Sequence, residues 1–174
     1  GVKYSTFVNS GASANFLSLK ILKDIKKNRS EVILPAFTWS SDVNAVINSG
    51  FKPVFVDINL TNLALDEELV KKNISKKTAA IFLTHAMGFL GISKSLLDYI
   101  KKRNILLIED VCESHGIHLN GKKGGSLGEI SNFSFYYAHH ITTIEGGMIS
   151  TNSKEIDILA KMKRGHGLLR DSQD

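Results

Sequence analysis

The chain has 174 residues, 43% of them hydrophobic, which is enough for one sizeable core and, by length, suggests one domain. Its net charge of +5, 22 basic against 17 acidic residues, is spread over lysine pairs such as Lys26-Lys27, Lys71-Lys72, Lys76-Lys77 and Lys101-Lys102, which read as solvated helix ends and form no stripe for nucleic acid. The apolar runs at 105–108 and 130–137 are too short to cross a membrane, the start carries no secretory signal, and the single Cys112 excludes a disulfide framework and suits a reducing cytoplasm.

In chain order, residues 7–11 read as a strand end breaking into a turn, and 12–27 as a helix with Phe16, Leu19, Leu22 and Ile25 on its apolar side. Ser10, Gly11, Ala12 and Ser13 then stand at a helix N-terminus, where free N–H groups and the helix dipole favour an anion, although such a start is also an ordinary cap. Strands at 31–34, 52–57, 78–84 and 105–109 alternate with helices at 41–49, 66–73 and 93–103. That alternation predicts an α/β fold with a mostly parallel sheet flanked by helices in three layers. Glycines 116, 121, 124, 125 and 128 mark loops. Strands at 131–137 and 147–151 follow, and a helix at 153–163, capped by Ser153, closes the series.

Chemically distinctive residues collect at a few points. The run Ile108-Glu109-Asp110-Val111-Cys112-Glu113 ends an apolar strand in acidic residues, where open α/β sheets place their ligands. A metal site from Asp110, Glu113, His115 and His118 is a competing assignment, but its spacing matches no common ligand signature, so no metal is expected. Trp39, the only tryptophan, follows Leu34-Pro35-Ala36-Phe37-Thr38 and taken alone is an ordinary core aromatic. His85, His115 and His118 read as solvated loop residues. The turn between the last two strands holds His139, His140, Thr142, Thr143 and Glu145, and no lysine occurs between Lys123 and Lys154.

The block Ser134-Phe135-Tyr136-Tyr137-Ala138-His139, followed by Glu145-Gly146-Gly147, resembles the lysine-bearing segment of the DegT/DnrJ/EryC1 sugar aminotransferases, which are fold-type-I pyridoxal-phosphate enzymes. In that family a Ser-Phe-(Tyr/His)-x-x-Lys run precedes a Glu-Gly-Gly or Asp-Gly-Gly turn. The lysine position falls on His139, an exchange that marks the sugar 3-dehydratase branch. The resemblance covers nearly the whole chain. It implies that residues 1–174 are the large cofactor-binding domain, with an N-terminal lead and a C-terminal small domain expected outside them.

By the same resemblance, Ser10, Gly11, Ala12 and Ser13 cradle the cofactor phosphate with Ser134 nearby, and Trp39 stacks on the pyridine ring. Asp110 pairs with the ring nitrogen, and Glu113 lies on the ring-hydroxyl side. Arg164-Gly165-His166-Gly167-Leu168-Leu169-Arg170-Asp171 resembles an Arg-Gly-His-Gly segment whose histidine lies in the active site, so His166 is expected to orient or tune His139. His140, one position on, is expected to face away in an extended segment.

A lysine in this position both anchors the cofactor and moves protons, whereas imidazole can only move protons. The implied working form is therefore pyridoxamine 5'-phosphate, held without a covalent bond alongside pyridoxal 5'-phosphate. The implied reaction removes the C3 hydroxyl of a nucleotide-linked 4-keto-6-deoxy sugar as water, and glutamate restores the amine. A homodimer is implied as well.

Three alternatives stay open: a lysine-independent aminotransferase, a non-catalytic cofactor-binding or dimerisation module, and an iron–sulfur dehydrase. The last needs three more cysteines than Cys112, and Arg170-Asp171-Ser172-Gln173, where two are expected, has none. Cys112 then reads as a small buried filler.

Overall fold

A computed structural model of the chain describes residues 1–168. Seven strands form one sheet: β1 (Tyr4–Val8), β2 (Glu31–Pro35), β3 (Lys52–Val56), β4 (Thr78–Thr84), β5 (Leu106–Asp110) and, after a small hairpin of β6 (His118–Leu119) and β7 (Lys122–Lys123), β8 (Ile130–Ser134) and β9 (Gly147–Thr151). Their order is β1-β9-β8-β5-β4-β2-β3, and only β9 runs against the others. Helices α1 (Gly11–Ile25), α2 (Ser40–Asn48), α3 (Glu67–Asn73), α4 (Lys94–Lys102) and α5 (Lys154–Arg164) cover both faces.

The central strands are buried on both sides, which is why they read as continuous apolar runs. Val32, Leu34, Ala80, Phe82 and Ile108 point to one face, where they pack with Leu19 and Leu22 of α1, Val46 of α2 and Ile156 of α5. Ile33, Ile81, Leu83 and Leu107 point to the other, against Val70 of α3 and Leu96, Leu97 and Ile100 of α4. Two cores back to back on one sheet make the three layers expected from sequence. No helix of the described residues is long and apolar enough to cross a membrane.

Two local expectations change. The strand read over 131–137 ends at Ser134, because the Ser134 hydroxyl accepts the Tyr136 N–H at 3.3 Å and the chain turns, His139 N–H donating to Tyr136 C=O at 2.9 Å. His140 is therefore not in extended chain; its ring lies 5.9 Å from that of His115. The loop around Gly121 is instead the β6–β7 hairpin, whose Asn120-Gly121 turn has φ of 48° and 80°, the left-handed pair that an Asn-Gly hairpin uses.

Candidate active site

The parallel strands β2, β4, β5 and β8 end on one edge of the sheet, and β1 feeds α1 there. Ser10 caps α1: its hydroxyl accepts the Ser13 N–H at 3.1 Å, and its carbonyl accepts the Ala14 N–H at 3.0 Å. The Gly11 and Ala12 N–H groups are left at the front of a helix whose first turn holds no acid.

Backbones close in around this turn. A Cβ on Gly11 would lie 2.6 Å from Ser134 Cβ and 3.2 Å from Cys112 Sγ, and one on Gly147 would collide with the Ser10 carbonyl. Only glycine fits at either place. The expected phosphate cradle, Ser134, the segment after Asp110 and the Glu-Gly-Gly turn are thus packed against one another.

Asp110 ends β5, nearly buried. One oxygen accepts the Cys112 N–H at 2.9 Å and the other accepts Asn15 Nδ2 at 2.8 Å. The same Nδ2 donates to buried Asp42 at 2.8 Å, and the Thr38 and Thr84 hydroxyls reach the far oxygen of Asp42 at 2.6 and 2.8 Å. Burial, and then the neighbouring Asp110 carboxylate, push Asp42 up to about 8. Burial and the same acids also raise the Cys112 thiol, an inert filler as expected.

Trp39 is not a core aromatic. It stands at the N-cap of α2 with 65% of its surface exposed, beside the Thr38 that ties this segment to Asp42. Glu113 is half-buried, and its side chain makes no hydrogen bond to a described residue. His139 is half-buried, edge-on to Tyr136 with ring centroids 5.7 Å apart, and its Nδ1 is buried without a partner among the described residues. His166 is exposed at φ 62° in the turn after α5. Its expected link to His139 has no contact behind it among the described residues, and Leu169, Arg170 and Asp171 of its motif lie outside them. Ala12 and Ser13 lie in the first turn of α1, the helix start read from sequence.

The model described as the DegT/DnrJ/EryC1/StrS aminotransferase family matches residues 1–174. The chain belongs to this DegT/DnrJ/EryC1/StrS family. It is 37% identical over 175 residues to GDP-4-keto-6-deoxy-D-mannose 3-dehydratase of Escherichia coli O55:H7 (strain CB9615 / EPEC), covering 98% of this chain and 45% of that protein. It is 39% identical over 152 residues to GDP-perosamine synthase of Vibrio cholerae, covering 87% of this chain and 41% of that one. The fold superposes with a TM-score of 0.92 and 36% identity on the E. coli GDP-4-keto-6-deoxy-D-mannose-3-dehydratase with bound hydrated PLP, over 98% of this chain and 45% of that one. The chain thus spans under half the length of these relatives.

Within the DegT/DnrJ/EryC1/StrS frame, two groups of residues escaped the sequence. His85, expected to be solvated, is fully buried: its Nδ1 accepts the Gly91 N–H at 3.0 Å and its Nε2 donates to Glu109 at 3.1 Å. Asn15 and Asp42 were not singled out at all, because their partners lie 95 and 27 residues away from Asn15 and share no local pattern with it. Among the described residues no cluster of His, Cys, Asp and Glu is arranged to hold a metal.

Proposed function

We propose that this chain is the cofactor-binding large domain of a nucleotide-sugar 3-dehydratase that uses pyridoxamine and pyridoxal 5'-phosphate. The observation that carries the reading is His139, an imidazole whose buried Nδ1 has no partner among the described residues, where the aminotransferase lysine belongs, in a stretch with no lysine from 124 to 153.

The residues present fit the cofactor. The glycine-lined turn at Ser10–Ser13 offers free N–H groups to a phosphate, with the Ser134 side chain packed against it. Trp39 offers an exposed indole face, and Asp110 offers a carboxylate held by two hydrogen bonds. Glu113 is read as flanking the ring hydroxyl. Once bound, the pyridine ring supplies an electron sink for bond cleavage next to the substrate's former ketone carbon.

Without a lysine amine, nothing in the 139 position can hold that ring covalently, so binding rests on the cradle, the indole and Asp110. His139 can take a proton from the carbon that links amine and ring, and can return it to the departing C3 hydroxyl, which leaves as water. Tyr136, edge-on at 5.7 Å, limits the tilt of that imidazole. His166 is read as a second histidine that orients it. The substrate is read as a nucleotide-linked 4-keto-6-deoxy sugar, with glutamate as amino donor, in the cytoplasm.

Phe37, Met87, Phe89, Tyr137 and Ile144 are exposed in loops that follow β2, β4 and β8. Apolar side chains grouped on one sheet edge support a homodimer that covers them.

The test is full-length protein with pyridoxamine 5'-phosphate, glutamate and a 4-keto-6-deoxy nucleotide sugar. Ammonia and a 3-deoxy product are expected, with both lost in His139→Asn while the cofactor stays bound. Undiminished turnover in that variant would overturn the role of His139. The likeness to GDP-perosamine synthase favours a second reading, an aminotransferase, which a 4-amino sugar product would identify.

A further inference from the structure

Behind Asp110 lies a second carboxyl group that the proposed chemistry does not use. Asp42 is wholly buried in the first turn of α2. Its surroundings allow a count of protons. Asp42 Oδ2, Thr38 Oγ1 and Thr84 Oγ1 form a closed triangle of short contacts, 2.6 Å between Thr38 and Asp42, 2.8 Å between Thr84 and Asp42, and 2.6 Å between the two threonines. Three hydrogen bonds need three protons, and the threonines own one each. The third belongs on Asp42. Its carboxyl donates to one hydroxyl, that hydroxyl donates to the other, and the second closes the ring.

The other oxygen of Asp42 accepts Asn15 Nδ2 at 2.8 Å and the Ser41 hydroxyl at 3.2 Å. Asn15 spends its remaining amide proton on Asp110 Oδ2 at 2.8 Å, and Asn15 Oδ1 is left buried without a partner among the described residues. An amide that leaves its own acceptor unpaired to place both donors on carboxyl groups is held by those groups. The array joins α1, α2, β4 and β5 just beneath the carboxylate that ends β5.

We propose that Asp42 is a positioning residue for Asp110: as a neutral carboxylic acid clamped by Thr38 and Thr84, it fixes the Asn15 amide, and the amide fixes the rotamer of the buried Asp110 carboxylate at the end of β5. Were Asp42 an anion, two negative charges would share one amide in a buried place, and Asp110 would lose its value as a single, localised charge. The groups facing Asp42 are Asp110, Asn15, Ser41, Thr38 and Thr84, with the Cys112 thiol nearby and no cation among them. Burial followed by repulsion from Asp110 raises Asp42 to about 8, in the same direction as the proton count.

How Asp110 is held follows from these side chains alone; what it faces rests on the cofactor reading. Carbon NMR of the full chain labelled at aspartate Cγ tests the first. The line missing from Asp42→Asn should have the shift of a protonated carboxyl at neutral pH and move only in alkali. The line missing from Asp110→Asn should shift in Asn15→Leu but stay in place in Asp42→Asn, because an amide at 42 is neutral and can still accept from Asn15. An ionised shift for Asp42 at neutral pH, or an unmoved Asp110 line in Asn15→Leu, overturns the proposal.

The second part uses pyridoxal 5'-phosphate labelled at the ring nitrogen. Its nitrogen shift should move in Asp110→Asn and in Asn15→Leu, with binding about tenfold weaker in the latter, as the loss of one hydrogen bond to a charged group implies. Failure of the unaltered protein to bind that cofactor would sink the cofactor reading and leave the carbon experiment to decide on Asp42. Binding with a nitrogen shift that responds to Asp110→Asn but not to Asn15→Leu would sink the positioning role alone.

Discussion

His85 donates from Nε2 to Glu109 Oε2 across 3.1 Å, with both side chains fully shielded from solvent. The Gly91 N–H on Nδ1 fixes which ring nitrogen carries the proton. Glu109 also accepts N–H groups from Gly125, Leu127 and Gly128, each at 2.8 Å, so one carboxylate organises the loop between β7 and β8. Burial pushes that carboxyl up, but the His85 bond and the Gly128 and Gly125 N–H groups outweigh it and hold it below its ordinary value.

His85→Leu removes one hydrogen bond to a buried charge and orphans the Gly91 N–H. Stability to urea should fall by about 1.5–3 kcal/mol, the range for hydrogen bonds to charged groups. The depressed carboxyl contributes stability above its ordinary value of 4.5 and loses it as the pH falls below that, so the gap between variant and parent should narrow in acid. A gap independent of pH would show that Glu109 does not depend on His85.

A lysine placed at the 139 position tests the proposed site from the opposite side. Among the described residues the Nδ1 of His139 is buried without a partner, so a lysine side chain at that position would break no hydrogen bond made by that nitrogen. In His139→Lys, borohydride should fix pyridoxal 5'-phosphate to the chain at that residue, as peptide mass mapping would show, whereas the parent protein should release the cofactor on denaturation. Labelling at another lysine, or none, would place His139 away from the cofactor.

Much of the fold was legible because the strands obey one rule: Val32 and Leu34 face one core while Ile33 faces the other, and a strand apolar on both faces reads as a continuous run. Cap chemistry was equally local, as with Ser10 on α1 and Ser153 on α5. What escaped is what depends on partners far apart in the chain. His85 looked like a loop residue because Glu109 is 24 positions away, and the end of β8 was misplaced because the Ser134 side chain takes the N–H that would have continued the strand. The acidic end of β5 pointed to the site, but nothing at 108–113 announced Asn15 and Asp42 behind it.

Gly147 offers a steric test of the cradle. A Cβ there would meet the Ser10 carbonyl oxygen and carbon, and would lie 2.8 Å from the Gly11 nitrogen, all backbone atoms that cannot rotate away. Gly147→Ala must push α1 from β9 or distort the turn at Ser10, at a cost of about 1–3 kcal/mol, as for other overpacked sites. Because the displaced atoms belong to the proposed phosphate cradle, pyridoxal 5'-phosphate should bind more weakly, and calorimetry would measure it. Full affinity in a destabilised variant would separate the turn from the phosphate site.

Asp42 makes a prediction of opposite sign from Glu109. In the unfolded chain its carboxyl ionises near the ordinary 3.8, whereas in the folded protein burial and Asp110 raise it to about 8. Below 3.8 both states hold the proton and it has no effect on the balance. Between the two values only the folded state holds it, so each rise in pH favours unfolding, by at most about 1.4 kcal/mol per unit. Asp42→Asn does not titrate and keeps the neutral hydrogen-bonding shape, so its stability relative to the parent should climb steadily across that window and level off above it. Urea denaturation of both proteins at several pH values would measure the slope. A constant difference would mean that Asp42 is already ionised in the folded state, and that the Thr38 and Thr84 hydroxyls both donate to it in place of bonding to each other.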